Sequence, residues 1–214
     1  MFSPQLIQHL CQAIDATRST RGPTLVAIDG PGCSGKTTLA DSLQAALGNA
    51  TTILGIDDFL IPFADQDLIW KSDESISQGV PHLRWRELEH VMEQLADGQA
   101  TRYHPYDWDN DALKPEIDVP ATSVVLVEGL YSMHMRLRNR YGFKLWVDTC
   151  REARLANVEA RDGGRFLQLW RGIYIPREWS YLRQQKPFQY ANAFLLGADL
   201  EWSTTDVCFA RQAA

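Results

Sequence analysis

The stretch from Val26 to Ala40, VAIDGPGCSGKTTLA, constrains this chain more than any other. An apolar run ends in it, Gly30, Gly32 and Gly35 follow closely, and Lys36 opens a segment in which Leu39, Leu43 and Leu47 recur at helical spacing. From Gly30 to Thr37 the order is G-x-x-x-x-G-K-[ST] without a gap. A turn of this kind lets backbone N–H groups curl around an anion, and the helix that follows adds the positive end of its dipole. In that setting the lysine reaches the β- and γ-phosphates of a nucleoside triphosphate, and the threonine hydroxyl ligates Mg2+. The expected ATP-binding residues are therefore Gly30, Pro31, Gly32, Cys33, Ser34, Gly35, Lys36, Thr37 and Thr38, with Thr37 also on the metal. A tight turn with an exposed lysine is the bland alternative, and the strand before and helix after argue against it.

The rest of the chain supplies the matching frame. Ser3-Pro4 followed by Leu6, Ile7, Leu10 and Ile14 predicts a capped amphipathic helix. Thr24 to Asp29, Thr51 to Ile56, Ser123 to Val127, Phe143 to Val147 and Phe194 to Leu196 read as short buried strands. Between them, Lys36 to Leu47, a segment marked by Trp85, Leu88, Met92 and Leu95, and residues 151–162 and 165–184, apart from Gly163-Gly164 and Pro176, read as helices, while 64–83 is a long polar excursion. Strands alternating with helices predict an α/β fold, a P-loop NTPase three-layer sandwich with a mainly parallel sheet and a helical lid, spanning 1–214 as one domain with the lid over about 161–184. Ligands of such sheets bind beyond the carboxyl ends of the strands.

Charge and cysteines narrow the function. A net charge of −6 and a pI near 5.3 speak against nucleic acid or an anionic membrane as partner. No apolar run reaches a membrane span and no signal-peptide layout opens the chain, so a cytoplasmic location is expected. Cys11, Cys33, Cys150 and Cys208 lie far apart with no C-x-x-C pair, which predicts reduced thiols. Cys33, close to a helix start, sits where a thiol pKa can fall. His104 and His134 lack metal spacing, and a homo-oligomer is left open.

What happens to the γ-phosphate depends on the other strand ends. Asp57 and Asp58 follow the second strand, where a carboxylate can take the proton of an attacking hydroxyl, and Glu128 ends another, where it can hold Mg2+. Solvated turn residues are the alternative for both. Between Arg151 and Arg183, seven arginines stand against four carboxylates, a balance suited to a lid that closes on phosphates or, more simply, to a solvated helix face. Tyr106 and Trp108 alternate as on a strand and can stack on a ring, although core packing is the commoner use of such aromatics.

With IDGPGCSGKTTLA, DDFLIP, WRELEHVMEQLADGQATRYHPYDWD, VVLVEGLYS, KLWVD and REARLANVEARD in this order, the chain resembles the uridine kinase-like P-loop kinases, a group related to phosphoribulokinase and bacterial pantothenate kinase. The resemblance implies ATP-dependent phosphorylation of a small-molecule, nucleoside-like alcohol, in uridine kinases the 5′-OH of uridine or cytidine. It implies Asp57 as catalytic base beside Lys36, Arg161 and Arg165 as lid cations, Thr37 and Glu128 at the metal, and Asp57, Phe59, Tyr106 and Trp108 around the acceptor. The chain departs from the pattern at GVPHLRWRE, where nucleoside kinases carry a ribose-binding aspartate, and after Trp108, where a histidine has no counterpart. An acceptor such as pantothenate or a sugar therefore stays open. A GTPase is disfavoured because no N-K-x-D occurs.

Overall fold

The computed structural model describes residues 2–18, 22–65, 82–165, 167–196 and 201–203. Helix α1 (Pro4–Ala16) starts where Ser3 Oγ accepts from the N–H of Leu6 at 3.2 Å. Strand β1 (Thr24–Asp29) leads through the glycine turn into α2 (Lys36–Leu47), and β2 (Thr51–Gly55) gives way to a 3-10 turn at Ile56–Phe59, one residue before the expected strand end. Helix α3 (Trp85–Ala96) precedes four short strands, β3 (Thr101–Tyr103), β4 (Tyr106–Asp107), β5 (Ala112–Leu113) and β6 (Ile117–Val119). Then come β7 (Val124–Glu128), β8 (Phe143–Asp148) and α4 (Arg151–Asp162). A helical turn at Leu167–Leu169 and a π-helical turn at Trp170–Tyr174 run into α5 (Ile175–Gln185), and β9 (Ala193–Leu196) and β10 (Glu201–Ser203) follow.

The main sheet has the order β10-β9-β8-β1-β7-β2, with β10 antiparallel and the rest parallel. All six residues of β1 are buried, which is why it is apolar from Leu25 to Ile28 rather than alternating. Parity then decides the layers. Leu25 and Ala27, with Val125 and Val127, face α3 and the buried Tyr181 and Leu182 of α5; Val26 and Ile28, with Val124 and Leu126, face Ile7, Leu10 and Ile14 of α1 and Leu39, Ala40 and Leu43 of α2. The three-layer sandwich is thus the expected one. Gly55 and Ile28 both pair with Glu128, and Asp29 with Trp146, so the strand ends come level along one edge of the sheet.

Three expectations meet the structure differently. Trp108 lies in the turn between β4 and β5, not on the strand with Tyr106: Asp107 Oδ1 accepts from the N–H of Asp109 at 3.0 Å and folds the chain back after two strand residues. Pro176 does not interrupt the helical run, because it falls in the first turn of α5, where no N–H is required of it. Of the span expected as a lid, α5 is anchored in the core through Ile175, Tyr181 and Leu182. Most of the 64–83 excursion, including Asp73 and Glu74, lies outside the described residues.

Candidate active site

The phosphate loop leaves β1 at Gly30, whose φ of 149° is unsuited to other residues and whose Cβ, if present, would lie 1.9 Å from the carbonyl oxygen of Val147 in β8. Asp29, the last residue of β1, fixes the departure. Its carboxylate accepts from the N–H of Gly30 (2.7 Å), the N–H of Met133 (2.8 Å) and the hydroxyl of Tyr181 (2.6 Å). Burial pushes its pKa up to about 6, against the lowering pull of these donors. Within the loop, the Lys36 ammonium is buried and donates to the carbonyl of Pro31 at 2.8 Å, and Ser34 Oγ is buried without a hydrogen-bond partner. The thiol of Cys33 is pushed up by burial, which outweighs the nearby Arg161 and Lys36 charges. The lowering that a helix start can bring is thus absent at Cys33, because partial enclosure of the loop matters more.

Asp57 stands at the carboxyl end of β2 in the first turn of the 3-10 segment, exposed to the cleft. The surrounding walls desolvate it and raise its pKa; the Lys36 charge pulls the other way most strongly, Asp58 adds to the rise, and Arg161 opposes it. Glu128, level with Gly55 through the sheet register, accepts from the hydroxyl of Thr37 at 3.3 Å. Its pKa is raised by burial, against Lys36. Thr37 and Glu128 form a pair of hard oxygen donors beside a loop that holds an unpartnered buried hydroxyl. That donor set fits Mg2+ and triphosphate oxygens. Thr38 is exposed on the next position of α2.

The lid side contributes residues that the sequence did not single out. Arg154 of α4 and Glu178 of α5, both almost fully buried, form an ion pair, and each also holds the Gly32 peptide: Arg154 Nε donates to its carbonyl and its N–H donates to Glu178 Oε1, both at 2.8 Å. Asn157 donates to the carbonyl of Cys33 at 3.0 Å. Burial raises the pKa of Glu178 and Arg154 opposes the rise. Arg161 is exposed, with its guanidinium 5.9 Å from the centre of the Trp170 ring, and Arg165 is exposed beyond the two glycines.

The acceptor side is more closed than the sequence implied. Phe59 has no exposed surface and stacks on Tyr103 at 4.7 Å between ring centres, so its ring belongs to the core. Tyr103 donates to Asp58 Oδ2 at 2.7 Å, which occupies that carboxylate. Tyr106 is buried, donates to Asp111 Oδ1 at 2.7 Å, and meets Trp108 edge-on at 5.2 Å; Trp108 itself is 55% exposed. Arg84 spends its guanidinium on the carbonyls of Asp58 and His104, both at 2.6 Å, and on Glu87. Glu87 is thereby engaged, not held out for a ribose hydroxyl. His82 is buried and driven down to a pKa of about 3 by desolvation, so it is neutral.

The structure thus brings Lys36, Thr37, Asp57, Glu128 and Arg161 to one cleft at the carboxyl edge of the sheet. Such a set can bind a triphosphate, take a proton from a hydroxyl and screen charge on a transferring phosphoryl group. Asp29 was legible as an acid ending an apolar strand; Arg154 and Glu178 carry no local signal. Among the described residues no helix is long and apolar enough to cross a membrane, and no His, Cys, Asp and Glu cluster suits a metal by itself.

The profile of the Phosphoribulokinase / Uridine kinase family matches residues 25–165. Uridine-cytidine kinase B of Dictyostelium discoideum is 26% identical over 152 residues, covering 68% of this chain and 61% of that protein, so the chain aligns with less than two thirds of that relative's length. Uridine kinase of Mycoplasma pneumoniae is 28% identical over 173 residues, covering 76% of this chain and 80% of that one. In fold, a Bacillus stearothermophilus structure described as a possible uridine kinase superposes with a TM-score of 0.69 at 23% identity, covering 89% of this chain and 97% of that one.

Proposed function

The chain belongs to the Phosphoribulokinase / Uridine kinase family, and from that premise we propose an ATP-dependent kinase that transfers the γ-phosphate to a hydroxyl of a small molecule, with the 5′-OH of uridine or cytidine as the first acceptor to test. The observation that carries this reading is Asp57: a carboxylate at a strand end, open to the cleft, close enough to Lys36 and Arg161 for both charges to act on it. The uridine kinase relatives support the choice of acceptor.

In this reading the loop N–H groups from Cys33 to Thr38 bind the triphosphate, and Lys36 exchanges the Pro31 carbonyl for phosphate oxygens. Ser34 Oγ gains the partner it lacks. Thr37 and Glu128 would hold Mg2+, which would supply positive charge to offset that of the phosphates. Asp57 accepts the hydroxyl proton as the oxygen attacks in line. Burial raises its pKa, which makes it a stronger base than an ordinary carboxylate, and the Lys36 charge opposes that rise. Arg161 and Arg165 close over the cleft about the glycine pair Gly163-Gly164, both with positive φ.

A second reading, a non-nucleoside alcohol, is favoured by one feature: Tyr106 is closed off by Trp108 and by its own bond to Asp111, so of the two expected stacking aromatics Trp108 is the exposed one. A phosphate-transfer screen with labelled ATP over uridine, cytidine, pantothenate and simple sugars decides between them. The nucleoside reading expects uridine or cytidine to be preferred and Trp108→Ala to cost about tenfold in kcat/KM, the worth of a stacked base at roughly 1–3 kcal/mol. Preference for a sugar or pantothenate that Trp108→Ala leaves unchanged overturns it. Transfer to none of these alcohols counts against the kinase assignment itself.

A further inference from the structure

Gly32 occupies one of the four positions that G-x-x-x-x-G-K-T leaves open, and its φ is outside the left-handed region, so neither the motif nor the backbone asks for glycine there. Space does. A Cβ on Gly32 would come within 2.2 and 2.5 Å of two ring carbons of Trp170 and within 2.8 Å of Glu178 Oε1. The indole therefore rests on the bare Cα of the phosphate loop, at the start of the π-helical turn Trp170–Tyr174. The same peptide is gripped by Glu178 on its N–H and by Arg154 on its carbonyl, so this part of the loop is a rigid seat rather than a flexible strap.

On the ring that fills this seat lies the Arg161 guanidinium, 5.9 Å from the ring centre. Its charge acts on both the Asp57 carboxylate and the Cys33 thiol, so it lies within electrostatic reach of the base and of the loop. We propose that Trp170 is a positioning residue: seated on Gly32, it holds Arg161 where the γ-phosphate of ATP is bound, so that the lid closes in register with the loop. This rests on the kinase reading, but it concerns nucleotide binding and can be tested without an acceptor.

The test is a double-mutant cycle in which the dissociation constants of ATP and ADP, each with Mg2+, are measured by calorimetry. The proteins are the wild type, Arg161→Ala, Trp170→Ala, Trp170→Phe and the Arg161→Ala/Trp170→Ala double variant. The wild type is expected to prefer ATP over ADP, and Trp170→Ala to reduce that preference by about the same factor as Arg161→Ala, fivefold or more for a lost charge-assisted contact. Trp170→Phe keeps an aromatic face under the guanidinium and should stay within about twofold of the wild type. The double variant should be no worse than Arg161→Ala alone. A general loosening of the fold would weaken ATP and ADP alike and leave the ratio unmoved. Should Trp170→Ala fail to fold, Gly32→Ala displaces the indole from the other side and must lower the ratio in the same way.

A wild-type ratio in either variant, or effects of Trp170 and Arg161 that multiply, overturns the proposal. So does a wild type that binds ADP as tightly as ATP. Intact coupling in a protein that transfers phosphate to no alcohol would sink the kinase assignment and leave this inference standing.

Discussion

Two strand ends on the same edge of the sheet, with β7 between them, carry the same chemical group and treat it in opposite ways. At the end of β1, Asp29 is completely buried and its carboxylate is saturated by Gly30, Met133 and Tyr181. Just past the end of β2, Asp57 opens to the cleft and answers to the charges of Lys36 and Arg161. The other parallel strands repeat the division. Asp148 at the end of β8 is buried, accepts from the N–H of Thr149 at 2.8 Å and has its pKa pushed up to about 6, chiefly by desolvation, whereas Glu128 at the end of β7 accepts from the Thr37 hydroxyl at a looser 3.3 Å. A carboxylate surrounded by fixed donors holds architecture in place. One left with unfilled lone pairs in an open cleft is available for a proton or a metal.

The largest effect that can break this contrast is on turnover. Asp57→Asn is expected to lower kcat about a thousandfold, the usual scale for a lost general base, while ATP affinity changes less than about threefold. Asp58→Asn should cost far less, because Asp58 is already bonded to Tyr103. Steady-state kinetics alongside ATP titration measure both. If Asp58 proves the more damaging position, the assignment of the base is off by one residue.

Next in size is the structural partner of the pair. Asp29→Asn keeps the shape but presents an amide to three donors, leaving at least one of them unpaired in the interior, a loss of about 2–4 kcal/mol in unfolding free energy by denaturant titration. ATP binding should fall only as the loop loosens. A variant as stable as the wild type but catalytically dead would reverse the roles given to Asp29 and Asp57.

The smallest effect sharpens the comparison through pH. The folded-state pKa of Asp29, about 6, lies above its unfolded value, so between the two the folded chain binds more protons than the unfolded one. Stability from this group is therefore highest below the unfolded pKa and falls as pH rises toward about 6. Relative to Asp29→Asn, the wild type should lose up to about 2–3 kcal/mol between about pH 4 and pH 6 and then level off, since each pKa unit is worth about 1.4 kcal/mol. Melts of the two proteins across that range give the slope; a difference independent of pH would mean that the three donors cancel the cost of burial.

Much of the frame was legible before the fold was known. The β1 and α2 boundaries and the helix opened by Ser3-Pro4 match the sequence reading, because each is set by periodicity and capping within a few residues. The turn that carries Trp108 out of its strand was not legible, since two-residue strands have no period to read. Phe59 and Tyr106 looked like surfaces for a ligand, yet their rings are claimed by Tyr103, and by Trp108 and Asp111.

The sequence alone determined the phosphate loop, the parallel α/β frame and the acidic strand ends, since glycine spacing, strand burial and helical repeats are properties of short stretches of chain. Only the tertiary structure decided which of those acids is spent on architecture. The donors that saturate Asp29 come from Met133 and Tyr181, 104 and 152 residues away, and the Gly32 seat needs Arg154, Trp170 and Glu178 from beyond β8. A carboxylate's availability is set by the donors and walls brought around it, and these arrive by packing over distances along the chain that no local pattern records.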